Sequence, residues 1–197
     1  MNTRLPFKVE SGDIVLVGER SFQSWLLRIL HGPFPYSHGC LMGEKVNGRQ
    51  TIYTAAYRGP GDPILAKFGL YRQIDAADYL KDRNYVVCRY KQNSQNLSRA
   101  QKQEIIEWCK SQLGEKYPIK KVLKYLGIGL KGYGVPEVIH KELTDREHCF
   151  EGVAKAYLKA GIVLNERAKN ADPSGYDGKE IYLSPNLVDI FTKTRAA

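Results

Sequence analysis

The chain has 197 residues, 43% apolar and 26% charged, the balance of a soluble globular protein long enough for one well-buried domain over residues 1–197. No stretch reaches the roughly 18–20 apolar residues of a membrane span, and no apolar run of signal-peptide length follows Met1–Lys8, so a cytoplasmic setting is the default expectation. The net charge of +9 favours polyanionic company (nucleic acid, anionic lipid or an anionic cell-wall polymer) without choosing among them.

In chain order, Gly12-Asp13 turns into a buried strand, Ile14-Val15-Leu16-Val17. Ser21 caps an expected helix whose apolar positions Phe22, Trp25, Leu26, Ile29 and Leu30 share one face, and His31-Gly32-Pro33-Phe34-Pro35 ends it. Two strands follow, Ser37–Met42 and Gln50–Ala56, around the hairpin signal Asn47-Gly48. Residues 57–63, rich in glycine and proline, read as loop, and Asn84–Tyr90 as a further strand. Ser98 caps a helix running to Leu113, with Ile105, Ile106, Cys109 and Leu113 as its apolar stripe and Gly114 as its stop.

Lys116–Lys131 carries five lysines and no acid. Ile119, Val122, Leu123 and Leu126 mark one helical face and Lys120, Lys121 and Lys124 the other, a pattern that suits an anionic surface or simply a solvated face on a packed helix. A helix containing Cys149 has Phe150, Val153, Ala154, Tyr157 and Leu158 on its apolar side and ends at Gly161. Ser184-Pro185 is read as the start of a last short helix through Phe191. With no internal repeat and no linker, the pattern predicts one α+β unit.

Two short pieces carry the candidate chemistry: Tyr36-Ser37-His38-Gly39, and His148-Cys149-Phe150-Glu151. A thiolate is the nucleophile in thiol enzymes, and an imidazole within hydrogen-bond reach generates it. Near a helix N-terminus the free N–H groups favour the thiolate form. Thr144-Asp145-Arg146-Glu147 fits a capping box that would begin the helix at Asp145 and put Cys149 in its second turn, which leaves most of the activation to histidine. His38 ranks above His148 as that histidine, because neighbours on a helix point about 100° apart. Glycine at position 39 leaves room for another backbone to approach. The alternative is a buried structural cysteine and a hydrogen-bonded strand histidine.

The other cysteines, Cys40, Cys88 and Cys109, are widely spaced; Cys88 lies in a strand and Cys109 on an apolar helix side, as buried thiols do. Zinc bound by His38-x-Cys40 and His148-Cys149 is a second chemical reading, though the spacing fits no finger or deaminase pattern. No phosphate loop, dinucleotide motif or nucleic-acid-binding signature is present, and no cofactor is implied.

At these residues the chain resembles the circularly permuted branch of the NlpC-type papain-like superfamily, which includes YiiX/YebB-like proteins and is related to lecithin–retinol acyltransferase. Gly12-Asp13-Ile14-Val15-Leu16 resembles its opening strand, Tyr36-Ser37-His38-Gly39 its histidine strand, and Cys149-Phe150-Glu151-Gly152-Val153 its nucleophile helix, usually Cys-Ser-Glu-Leu-Val. Ser184-Pro185-Asn186-Leu187 resembles a frequent motif near the end. Permutation accounts for a histidine that precedes the cysteine, the reverse of familiar thiol proteases.

The resemblance implies an antiparallel sheet packed against the Cys149 helix and attack on amide, ester or thioester carbonyls, in substrates such as cell-wall peptides or acyl lipids. It implies Cys149 as nucleophile, His38 as base and Thr54 as third member, in Thr51-Ile52-Tyr53-Thr54-Ala55, where the family commonly has a carboxylate. Threonine can fix the imidazole tautomer but offers no anion to imidazolium. A different register would hand the role to Tyr53 or Glu44. Tyr36 is a candidate for substrate contact or a packed aromatic. The rival to an enzyme is a non-catalytic module of the same fold that holds a polyanion on its basic face.

Overall fold

A computed structural model describes residues 5, 7–18, 35–56, 70–115, 149–164 and 178–194. The expected Ser21–Leu30 helix, the 57–63 loop, the basic Lys116–Lys131 segment, the Asp145 helix start and His148 lie outside them. Among the described residues seven strands form one antiparallel sheet: β1 (Ile14–Gly18), β2 (His38–Val46), β3 (Arg49–Ala56), β4 (Leu70–Asp75), β5 (Asn84–Gln92), β6 (Gln95–Asn96) and β7 (Leu187–Lys193). Their order is β4-β3-β2-β1-β5, with both β6 and β7 paired to β5. The helices among the described residues are α1 (Ala76–Leu80), α2 (Arg99–Ser111), α3 (Cys149–Lys159) and α4 (Gly178–Tyr182). The described residues are thus α+β, as the pattern predicts.

Alternation along the strands divides the core between the two sheet faces. Ile14, Leu16, Leu41, Tyr53 and Val86 face α2 and α3, meeting Ile105, Ile106, Cys109, Phe150, Val153 and Tyr157. Val15, Val17, Cys40, Met42, Ile52 and Val87 face the other way, onto Ala76 and Leu80 of α1 and the aromatic group of Phe7, Tyr85 and Phe191.

The β2–β3 hairpin turns on Asn47 and Gly48, both at positive φ (51° and 76°), the two-residue geometry that Asn-Gly favours. Ser98 caps α2 through a full capping box with Gln101. Its stripe of Ile105, Ile106 and Cys109 is buried, whereas Leu113 lies beyond the helix and is exposed. Leu158, expected on the apolar side of α3, is also exposed. At Gly152 the Trp108 ring of α2 lies 3.4 Å from where a Cβ would stand, so the helices approach closely there.

The expected last helix is instead a turn and a strand. Ser184 to Asn186 turn the chain, and Leu187–Lys193 then pairs along β5, with Phe191 opposite Val87 and Asp189 opposite Cys88. Leu, Val, Ile and Phe in one short run suit either state. An unfilled β5 edge decides for the strand, and Phe191 completes the choice by stacking on Phe7 at 4.1 Å between ring centroids.

Candidate active site

His38 is the first residue of β2 and is buried. Leu41 pairs with Tyr53 and Met42 with Ile52 across β2 and β3. Continuing that register places Cys40 opposite Thr54, and His38 one step diagonal to it on the same face. The His38 Nε2 lies 2.7 Å from Thr54 Oγ1. Tyr53 and Glu44 are no alternatives to Thr54: Tyr53 points to the opposite face, where its hydroxyl meets Glu44 at 3.3 Å, and Glu44 is paired with Lys110.

Cys149 reaches this histidine from the other layer. Helix α3 packs over β2 at Gly39, where an added Cβ would stand 2.7 Å from the Phe150 ring and 3.4 Å from Val153. The missing side chain lets α3 lie close enough for the Cys149 thiol to hydrogen-bond the His38 ring. With Nε2 against Thr54, Nδ1 is the ring nitrogen left for the Cys149 sulfur.

Burial alone pushes the His38 imidazole toward the neutral form. The negative charge that Tyr79, Cys40 and Cys149 can bear, together with the Cys149 hydrogen bond, outweighs it and raises the group well above its ordinary 6.5. A thiolate at Cys149 would therefore hold the imidazole beside it in the protonated form.

Thr54 is fully buried and uses all its hydrogen-bonding capacity. A hydroxyl accepts two bonds and donates one. Thr54 Oγ1 takes the Cys40 thiol proton at 3.2 Å and, when the imidazole carries its proton on Nε2, that N–H as well, while its own proton points to the Tyr79 hydroxyl at 3.5 Å. Sequence reasoning missed Tyr79, which lies on the short unassigned helix α1; nothing local in the sequence marks it. Tyr36 packs against the core and against Tyr182, 6.2 Å between ring centroids, and burial followed by the nearby Asp189 raises its hydroxyl.

Of the four thiols only Cys149 is partly exposed. Burial pushes the Cys109 thiol up to about 12, and burial with the Asp189 carboxylate raises Cys88. Iodoacetamide at neutral pH is therefore expected to modify Cys149 at least roughly tenfold faster than Cys40, Cys88 or Cys109. Peptide mapping by mass spectrometry checks this, and uniform labelling would contradict it.

Among the described residues no three His, Cys, Asp or Glu side chains converge as a metal would require. The zinc reading retains His38 and Cys149 as a pair, but Cys40 turns its thiol to Thr54 and His148 lies outside the described residues.

No family model and no curated protein matches the chain. Its fold is that of a crystal structure described as metalloprotein yiiX from Escherichia coli O157:H7, with a TM-score of 0.61 and 20% identity over 95% of this chain and 99% of that one.

Proposed function

We propose that this protein is a cysteine-dependent hydrolase or acyltransferase of the circularly permuted papain-like type, acting on amide, ester or thioester carbonyls. The observation that carries the reading is a buried imidazole hydrogen-bonded on one side to a partly exposed thiol and on the other to a buried threonine. A histidine held only for structure has no need of a thiol that solvent can reach.

In the proposed reaction His38 Nδ1 takes the Cys149 proton and the sulfur attacks the carbonyl carbon. The Cys149 backbone N–H supplies part of an oxyanion hole. Collapse of the tetrahedral intermediate passes the proton from imidazolium to the leaving amine or alcohol and leaves an acyl-thioester. His38 then removes a proton from water or another acceptor, which attacks the thioester and releases Cys149 as thiol. Cell-wall peptides and acyl lipids are the substrate classes to screen first, with the Lys116–Lys131 segment as the candidate for recruiting an anionic surface.

The neighbour in fold is called a metalloprotein. Among the described residues His38 and Cys149 would supply two donors, fewer than a stable zinc site uses, and no step is routed through a metal.

The raised His38 value has a consequence for pH dependence. The ion pair exists above the thiol's ionisation and is lost as pH rises through the imidazolium's own value, well above 6.5. Expected is a kcat/KM that rises on the acid side as the thiol ionises, holds through neutrality and falls on the alkaline side as the imidazolium loses its proton. Measured on a chromogenic thioester, an alkaline limb at or below pH 6.5 would argue against the pair.

A direct test offers a panel of peptide, ester and thioester substrates and seeks the acyl adduct on Cys149 by intact mass. Adduct formation lost on Cys149→Ala supports the enzyme. Polyanion binding that survives Cys149→Ala, with no adduct on any substrate, would favour the binding module, whose case rests on threonine standing where the family commonly has a carboxylate.

A further inference from the structure

We propose that Tyr79 is a positioning residue for His38, acting through Thr54 as the far end of a hydroxyl relay that stands in for the absent carboxylate. The inference rests on the thiol-enzyme reading of the same site and goes beyond it by assigning a fourth residue.

The direction of the relay follows from counting protons. When the imidazole is protonated, both ring nitrogens donate, so Thr54 accepts from His38 Nε2–H and, at 3.2 Å, from the Cys40 thiol, which also lies 3.8 Å from the Tyr79 hydroxyl; the threonine's single proton is then left for Tyr79, the acceptor at 3.5 Å. That contact is long and its share modest, but hydrogen bonds in series polarise one another where water is excluded. When Nε2–H becomes part of an imidazolium, the negative end of each hydroxyl dipole points back toward the ring.

Arg83 fixes the far end of the relay. Its Nε donates to the Tyr79 carbonyl at 2.8 Å, and its guanidinium lies 4.3 Å from the centre of the Tyr79 ring. Asp75 starts α1 by accepting from the Asp78 N–H at 2.9 Å, so the phenol is carried on a capped turn packed against the sheet. Among the described residues the titratable and charged groups facing the relay include His38 and Cys40 from β2, Arg72 from β4, which the strand register sets opposite Thr54, Arg83 following α1, and Cys149 from α3.

Cys149 alkylation by iodoacetamide, followed against pH, reads the imidazolium directly: a second rise in rate marks loss of the His38 proton and release of a free thiolate. Expected for Tyr79→Phe is a downward displacement of that second step and a two- to tenfold fall in kcat/KM at neutral pH, about one hydrogen bond's worth. Thr54→Val should displace the step further, and adding Tyr79→Phe to it should change nothing more, because the relay is already cut.

If the wild-type profile lacks any step abolished by His38→Gln, the thiol–imidazole reading itself fails. If that step is present and Tyr79→Phe leaves it in place, only the relay is overturned. A Tyr79→Phe effect that persists undiminished in the Thr54→Val background also overturns it, since the phenol would then act through packing. Thermal midpoints of each variant separate loss of fold from loss of coupling.

Discussion

Cys149→Ala is expected to cut turnover by about 10⁴-fold or more while the thermal midpoint stays near that of the wild type. Alanine removes the atom proposed to form the acyl-enzyme, and nothing else among the described site residues carries a nucleophile that solvent can reach: Cys40 is buried with its thiol turned to Thr54. The fold should tolerate the change because Cys149 is only partly buried, whereas Phe150 and Val153 beside it hold the helix to the sheet.

Serine at position 149 should fare little better. A hydroxyl is far less acidic than a thiol and needs a stronger base, and here the base is oriented by a neutral threonine. His38→Ala combined with Cys149→Ala should cost no more than the cysteine change alone, the mark of residues working as a unit. Single-turnover assays on a thioester decide the matter. Undiminished rates in Cys149→Ala would remove the proposed chemistry altogether.

Arg89→Ala is expected to destabilise the protein by about 3–5 kcal/mol, the cost of stranding a buried charge, or roughly 6–20 °C in thermal midpoint for a chain of this size. Arg89 grips Asp13 with two bonds, Nε to Oδ1 at 2.9 Å and a terminal nitrogen to Oδ2 at 2.7 Å. Asp13 is only 3% exposed and also accepts the Glu10 N–H at 2.7 Å.

This knot sits where the chain enters β1. The neighbouring Gly12 and Asp13 backbone groups bond Met42 of β2, and the buried Tyr157 hydroxyl of α3 donates to the Gly12 carbonyl at 2.7 Å. Without Arg89 the carboxylate keeps one N–H partner in a place with little water. Arg89→Met with Asp13→Leu should recover most of the loss, because it removes both charges. Denaturant titration distinguishes the cases, and a single Arg89→Ala variant within about 1 kcal/mol of wild type would show the ion pair to be dispensable.

Much of this molecule follows from local pattern. Asn47-Gly48 specifies the hairpin because only such residues accept positive φ cheaply at both central turn positions. Ser98 and Gln101 specify the start of α2 because their side chains complete its orphan N–H groups. These are contests settled within four residues. Leu187–Lys193 was a different contest. Its composition suits a helix or a strand, and the free edge that decides belongs to β5, about a hundred residues earlier in the chain. Strand β4 and helix α1 escaped notice for a related reason: β4 has no fully buried position, and α1 is barely more than one turn.

The residue types needed for thiol chemistry, and the glycine beside the histidine, are written in the chain itself, because nucleophilicity, basicity and the lack of a Cβ belong to single side chains. Which of them meet belongs to the tertiary structure. Strand pairing sets Thr54 against His38, the bare backbone at Gly39 lowers α3 until Cys149 reaches the ring, and α1 brings Tyr79 to the far side of Thr54. Those contacts join groups far apart in sequence, and long-range contacts are decided by how layers pack.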